Sequence, residues 1–159
     1  MANQSILIIR HAEKPEPGAD AGVDSTGQAD SKSLTPRGWQ RAGAWVQLFS
    51  PALGQSGALS RPTAIFASAP MKPHEKDDGG SKSRRPLQTV SPLAARLKVT
   101  VDLNFSKGQE AALAGAISLI QGVVLVCWQH EDILGIANAL VPAPVGLPVM
   151  LDGDPDSPL

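Results

Sequence analysis

Tyrosine is absent from this chain, and three tryptophans and three phenylalanines bring the aromatic content to only 4%. So small a supply argues against the stacking platforms that bind single-stranded nucleic acid. There is one cysteine, Cys127, so no internal disulfide can form. It lies in an apolar run, which fits a reducing compartment. No apolar stretch approaches the ~20 residues that span a bilayer. Met1 leads almost directly into an apolar run, without the basic segment, long apolar stretch and small-residue cleavage site of a secretory leader. A cytoplasmic location without a membrane partner is the expectation. Neither sign of charge is in excess: a formal net charge of −1 points neither to nucleic acid nor to an anionic membrane. Cys127 and His130 share metal-ligand spacing, but two ligands do not make a zinc site, and no metal is expected.

What is present is enough apolar residue, 42% of 159, to build a real core, and the length suits one domain over residues 1–159. Ile6-Leu7-Ile8-Ile9 marks a buried strand over residues 5–9. A polar stretch of Gly, Asp and Ser follows to residue 33. It is long for a connection in a compact domain, which makes it either functional or mobile. Thr35 is a good N-cap and Pro36 suits the first position of a helix, whose spacing Ala42, Trp45, Val46 and Phe49 carry to Ser50-Pro51. Residues 63–67 read as a second strand ending at Ser68, and residues 72–83 as an exposed charged loop. A helix follows from Arg84-Arg85-Pro86 to Leu97, with a bend expected at Pro92.

Alternation predicts a third strand over residues 99–103. An Ala-rich helix is expected over residues 109–121, a fourth strand over Val123-Val124-Leu125-Val126-Cys127-Trp128, and a last helix over residues 132–140. The proline-rich tail from Val141 reads as irregular, with a short edge strand at residues 146–151. This β-α-β-α-β-α-β-α order implies an α/β fold, a three-layer α/β/α sandwich with a mostly parallel central sheet. In such a sheet Arg10-His11, Ser68, Asn104 and His130 converge on the rim where ligands bind.

Two histidines and nearby arginines at strand ends suit phosphoryl transfer, which asks a protein mainly for charge and position. Guanidinium groups match phosphate oxygens bidentately, so Arg10 and Arg85 are candidate clamps. A neutral imidazole can attack phosphorus, and a protonated one can stabilise the equatorial oxygens.

Four segments, in order, resemble the histidine phosphatase superfamily, the phosphoglycerate-mutase-like fold. Leu7-Ile8-Ile9-Arg10-His11-Ala12-Glu13 is similar to its Arg-His-Gly signature, with Ala12 in place of glycine. Leu34-Thr35-Pro36-Arg37-Gly38-Trp39-Gln40-Arg41-Ala42 resembles its Leu-Thr-x-x-Gly-x-x-Gln-Ala helix, with Arg41 shifting the local match. Arg85-Pro86-Leu87-Gln88-Thr89 is similar to its Arg-Ala-x-Gln-Thr motif, and residues 124–130 resemble the strand that delivers its second histidine. The resemblance covers about residues 5–140. It implies that His11 is the phosphorylated nucleophile, that Arg10, Arg85 and His130 complete a phosphate pocket, and that neither metal nor organic cofactor is used. Lys14 and Ser68 are further candidates for phosphate contact.

The chain departs from that pattern in three places. A long insertion carrying Lys72, His74, Lys76 and Lys82 separates Ser68 from Arg85. The segment Leu103-Asn104-Phe105-Ser106-Lys107-Gly108 offers no general-acid carboxylate before Glu110, while Glu131 and Asp132 stand beside the second histidine. The tail after the last helix looks frayed. Expelling an unactivated alkoxide needs a proton donor. The expectation is therefore a phosphohydrolase for activated phosphates: aryl phosphates, acyl phosphates or phosphohistidine, on a small molecule or a phosphoprotein. The alternatives are a phosphate- or phosphoprotein-binding module that turns over poorly, and a phosphomutase.

Each residue also has an ordinary reading. Glu110 and Glu131 favour the N-termini of their helices, Glu13 and Lys14 pair with one another, Arg84 is solvated, His74 is exposed, Cys127 is core, and Trp39 and Trp45 are partly core.

Overall fold

A computed structural model describes residues 4–18, 20–51, 57, 59–71 and 82–141. The insertion through residue 81 and the expected edge strand at residues 146–151 lie outside the described residues. The architecture is α/β: the described residues form four parallel strands, β1 (Ser5–Arg10), β2 (Ala64–Ala67), β3 (Val101–Asp102) and β4 (Val123–Trp128), with four α-helices, α1 (Pro36–Phe49), α2 (Arg85–Leu97), α3 (Glu110–Ile117) and α4 (Ile133–Leu140). The order across the sheet is β1-β4-β2-β3.

Strand residues divide by parity, as a pleated sheet requires. Leu7, Ile9, Ile65, Ala67, Leu125 and Cys127 pack with Phe49 of α1 and Val90, Leu93 and Ala94 of α2. Ile6, Ile8, Phe66, Val124, Val126 and Trp128 pack with Leu113 and Ile117 of α3 and Ile136 of α4. β4 lies between β1 and β2 and is apolar on both sides, which explains its unbroken run of hydrophobic residues.

The helix starts follow their local chemistry. Thr35 caps α1 by accepting from the Gly38 N–H at 3.1 Å, and Pro36 opens the helix. Gly38 is needed for close packing: a Cβ there would fall 2.8 Å from the Glu13 carbonyl oxygen. At the far end of α2, Lys98 adopts φ 57°, and its N–H and that of Val99 reach back to the last carbonyls of the helix.

Three expected boundaries change. The third strand is two residues, not residues 99–103, because only Val101 and Asp102 find partners on β2. The Ala-rich helix stops at Ile117 rather than residue 121: Ser118 turns its hydroxyl onto the Gly115 carbonyl, and Gly122 takes φ 92°. The last helix begins as a 3-10 turn, His130–Asp132, and becomes α-helical only from Ile133. Pro92 lies within α2, which continues past it.

Candidate functional site

Register brings the strand ends level. Arg10 pairs with Trp128, the last residue of β4, and the His11 N–H extends the ladder to the Trp128 carbonyl at 3.1 Å. On the other side of β4 the Ser68 N–H reaches the Cys127 carbonyl at 3.2 Å. Chain leaving β1 and β2 joins helices packed on one face of the sheet, whereas chain leaving β4 joins α4 on the other. The crevice between such diverging connections is where open α/β sheets hold ligands. Arg10, His11, Ser68 and His130 all stand at this rim.

His11 is buried, with 8% of its surface exposed. Its Nδ1 lies 2.7 Å from the Ala12 carbonyl oxygen. A carbonyl only accepts, so Nδ1 carries the proton and Nε2 of the neutral ring keeps its lone pair. Burial lowers the pKa of His11 below the ordinary 6.5. The Ala12 carbonyl and Glu131 oppose that, and the positive charges of Arg85 and Arg10 reinforce it. The backbone beside it is pinned from α2: the Ala12 N–H donates to Thr89 Oγ1 at 2.9 Å, and that hydroxyl donates to the Arg85 carbonyl at 2.8 Å. A cleft of about 400 Å³ runs past Ile9, Arg10, His11, Ala12, Glu13, Arg41 and Trp45. Arg85 and His130 do not line it.

Arg85 opens α2. Its guanidinium donates to three acceptors: Nε to the Ser33 carbonyl at 3.2 Å, Nη2 to the Ser31 carbonyl at 2.6 Å, and Nη1 to Ser83 Oγ at 3.3 Å. Burial lowers its pKa, and the charge of Asp30 acts in the opposite sense. Its neighbour Arg84 is more than half exposed and approaches Asp30 at 3.8 Å.

His130 has different surroundings. Its side chain is 43% exposed, Nδ1 sits 3.0 Å from Glu131 Oε2, and among the described residues Nε2 has no hydrogen-bond partner. Glu131 also lies 3.7 Å from Lys107 Nζ, and Lys107 reaches Asp132 at 3.2 Å. The Glu131 carboxyl is held below its ordinary value by its own backbone N–H, with smaller help from His130, Lys107 and His11. Of the two candidate acids, it is therefore Glu131 that feels His11.

Glu110 faces elsewhere. Oε1 accepts the Gly108 N–H and the Trp128 Nε1–H, each at 2.9 Å. Burial raises its pKa, but those bonds outweigh it and keep the carboxyl below its ordinary value. Among the described residues no contact joins Glu110 to His11, Arg10, Arg85 or His130. A carboxylate fixed in its charged form at the start of α3 anchors β4 and does not present a proton.

Ser68 is fully buried, and its Oγ accepts from Gln129 Nε2 at 3.0 Å. Lys14 is exposed beside a second cleft, of about 320 Å³, which Arg10 and Arg37 also line. Glu13 pairs with Arg41 rather than with Lys14. Cys127 is buried beneath the rim, where loss of solvent pushes its thiol pKa far up, so it is no nucleophile. Among the described residues no three His, Cys, Asp or Glu side chains cluster as a metal site would require, and no helix is long and apolar enough to cross a membrane.

Reading the sequence did not find Thr89 or Gln88 as supports, nor the turn at residues 30–33 that meets Arg85. The Asp-x-x-Ser spacing of Asp30 and Ser33 is the one local signal for that turn. No protein-family model matches the chain, and no curated protein matches it significantly.

Proposed function

We propose that this protein is a phosphohydrolase that works through a phosphohistidine on His11. The carrying observation is the state of His11. Its Nδ1 proton is fixed on the Ala12 carbonyl, its ring favours the neutral form, and two guanidinium groups act on it. A neutral imidazole with a free Nε2 beside positive charge is the arrangement that attack on a phosphate dianion requires. It also matches the resemblance to the histidine phosphatase superfamily carried by Arg10-His11, Thr35 to Gly38 and Arg85 to Thr89.

In the first step His11 Nε2 forms a bond to phosphorus as the bond to the leaving group breaks, and the leaving group takes the electron pair. In the second, water attacks phosphorus, the Nε2–P bond breaks, and the ring recovers its lone pair as phosphate departs. Arg10 and Arg85 hold the phosphoryl oxygens, and His130 Nε2 offers a further polar contact from β4. Lys14 is a peripheral candidate for the same anion, whereas Ser68, fully buried and bonded to Gln129, is a support of the rim.

Substrate choice follows from the acids. Glu110 is tied to Trp128, and Glu131 is an exposed carboxylate held in its charged form. Neither supplies a proton readily near neutrality. Leaving groups that depart without one are favoured: aryl and acyl phosphates and phosphohistidine, on a small molecule or a protein. A cytoplasmic setting and work without metal or organic cofactor accompany this reading. The second reading, a phosphate- or phosphoprotein-binding module, draws on the same absence of a ready acid. A phosphomutase is disfavoured because it needs a further anion site beside the first.

The deciding experiment is hydrolysis of p-nitrophenyl phosphate by the wild type and His11→Ala, with an acid-labile phosphate trap. Turnover lost in the variant, with phosphate trapped on the wild type, is expected. A folded wild type that binds orthophosphate or vanadate without turnover would favour the binding module.

A further inference from the structure

The long polar connection between β1 and α1 is folded, and it is folded against Arg85. The Val23 N–H donates to the Leu34 carbonyl at 2.8 Å, Val23 bridges to Ala29, and Trp39 Nε1 donates to the Val23 carbonyl at 2.9 Å. At its end the turn at residues 30–33 is held from within by the Asp30 side chain, and the Arg84 N–H donates to its Lys32 carbonyl at 3.0 Å. Asp30 Oδ1 accepts the Lys32 N–H at 3.0 Å, Oδ2 accepts the Ser33 hydroxyl at 2.6 Å, and the Asp30 carbonyl accepts the Ser33 N–H at 3.0 Å. The Asp30 N–H in turn donates to the Gly22 carbonyl at 2.8 Å. Gly22 admits the turn only because it has no side chain: a Cβ there would lie 2.3 Å from the Asp30 carbonyl oxygen and 2.8 Å from that of Ser33.

The same turn is clamped from α2. Gln88 Nε2 donates to Ser33 Oγ at 2.7 Å, and Gln88 Oε1 accepts the Leu34 N–H at 2.9 Å. Gln88 stands three residues after Arg85, on the same side of the helix. The outcome is that the Ser31 and Ser33 carbonyls face the guanidinium. A guanidinium has five N–H groups, and three of them are engaged by Ser31, Ser33 and Ser83. The others can serve an anion.

We propose that Asp30 is a positioning residue, which locks the turn so that its carbonyls fix the Arg85 guanidinium for an anion at His11. This rests on the phosphate-binding role of Arg85 stated above. Asp30 adds a negative charge that favours the guanidinium cation, yet it touches Arg85 only through the turn. Its carboxyl is kept low chiefly by the Ser33 hydroxyl and the Lys32 N–H, so the brace stays formed through neutral pH.

The test uses Asp30→Ala and Asp30→Asn, each alone and combined with Arg85→Ala, in the full chain. Three readouts are needed: kcat/KM on p-nitrophenyl phosphate, the Kd of orthophosphate, and hydrogen exchange of the Arg85 Nε–H by NMR. Asp30→Ala is expected to lower kcat/KM and raise the Kd about tenfold each, the effect of loosening one charge-assisted contact. Asp30→Asn, which keeps an acceptor for Lys32, should recover part of both. Neither substitution should have a further effect once Arg85 is Ala, and Arg85 Nε–H exchange should accelerate in the single variants. Equal losses with and without Arg85, or unchanged exchange at Arg85, would overturn the proposal. A wild type that neither hydrolyses the aryl phosphate nor binds orthophosphate defeats the functional reading instead, and the exchange measurement still decides whether Asp30 aims the guanidinium.

Discussion

His11 and His130 end adjacent parallel strands at the same rim, yet their surroundings differ. The first is buried, with its Nδ1 proton fixed on a carbonyl and arginines acting on the ring. The second is nearly half exposed and paired with the next residue in sequence. The sheet brings the two strand ends level, with His11 one residue and His130 two residues beyond the Arg10–Trp128 pair, and the chain that follows each strand sets its chemistry. After β1 the chain runs under Thr89 and Gly38, which press Ala12 and Glu13 into place. After β4 it turns at once into an exposed 3-10 turn. A fixed tautomer suits the atom that forms a bond, and an exposed ring suits an auxiliary contact.

The contrast can be broken most directly by removing each ring. His11→Asn should reduce kcat on an aryl phosphate by ~10⁶-fold, the scale of a lost nucleophile, and abolish trapped phosphate. His130→Ala should cost about 10²-fold, the scale of one lost polar contact to developing charge. Equal losses in kcat would show that the two rings share the bond-forming role.

A smaller effect should come from the support of His11. Thr89→Val leaves the Ala12 N–H buried without its acceptor. It should destabilise the fold by ~1–3 kcal/mol in denaturant titration and lower kcat, whereas among the described residues Glu131 alone answers for His130. The pH dependence sharpens the same point. Because burial lowers the His11 pKa from 6.5, the acidic limb of kcat/KM should fall below that value. As pH drops below 6.5 the unfolded chain takes up a proton that the folded site resists, so stability should decline down to the lowered value, and His11→Asn should flatten that decline. The least effect is expected for Glu131→Gln, about twofold on kcat, since an exposed pair contributes little.

The parts of the fold that could be read from the sequence are those whose cause is local. Val123 to Trp128 reads as a strand because both sides of β4 are covered, and the Thr35-Pro36 start of α1 is written in two residues. The third strand was legible by its alternation, but its two-residue extent was not, since that depends on how much of β2 it meets. At the rim, Arg10, His11 and His130 were legible as polar residues at the ends of apolar runs. The brace on Arg85 was not. Its bonds to Ser31 and Ser33 join segments more than fifty residues apart, and no periodicity records such a meeting. Glu110 shows the opposite failure: its position next to a helix start suited an acid, but the Trp128 indole, eighteen residues away, claims it.

Cys127 gives the molecule a built-in clock. Its sulfur sits in the central strand under the rim, out of contact with solvent and with ionisation suppressed. A thiol reagent can therefore reach it only when β4 parts from its covering helices. The labelling rate of this one sulfur counts openings of the sheet's centre, so a ligand that binds the rim would announce itself as slower labelling, without any need for turnover.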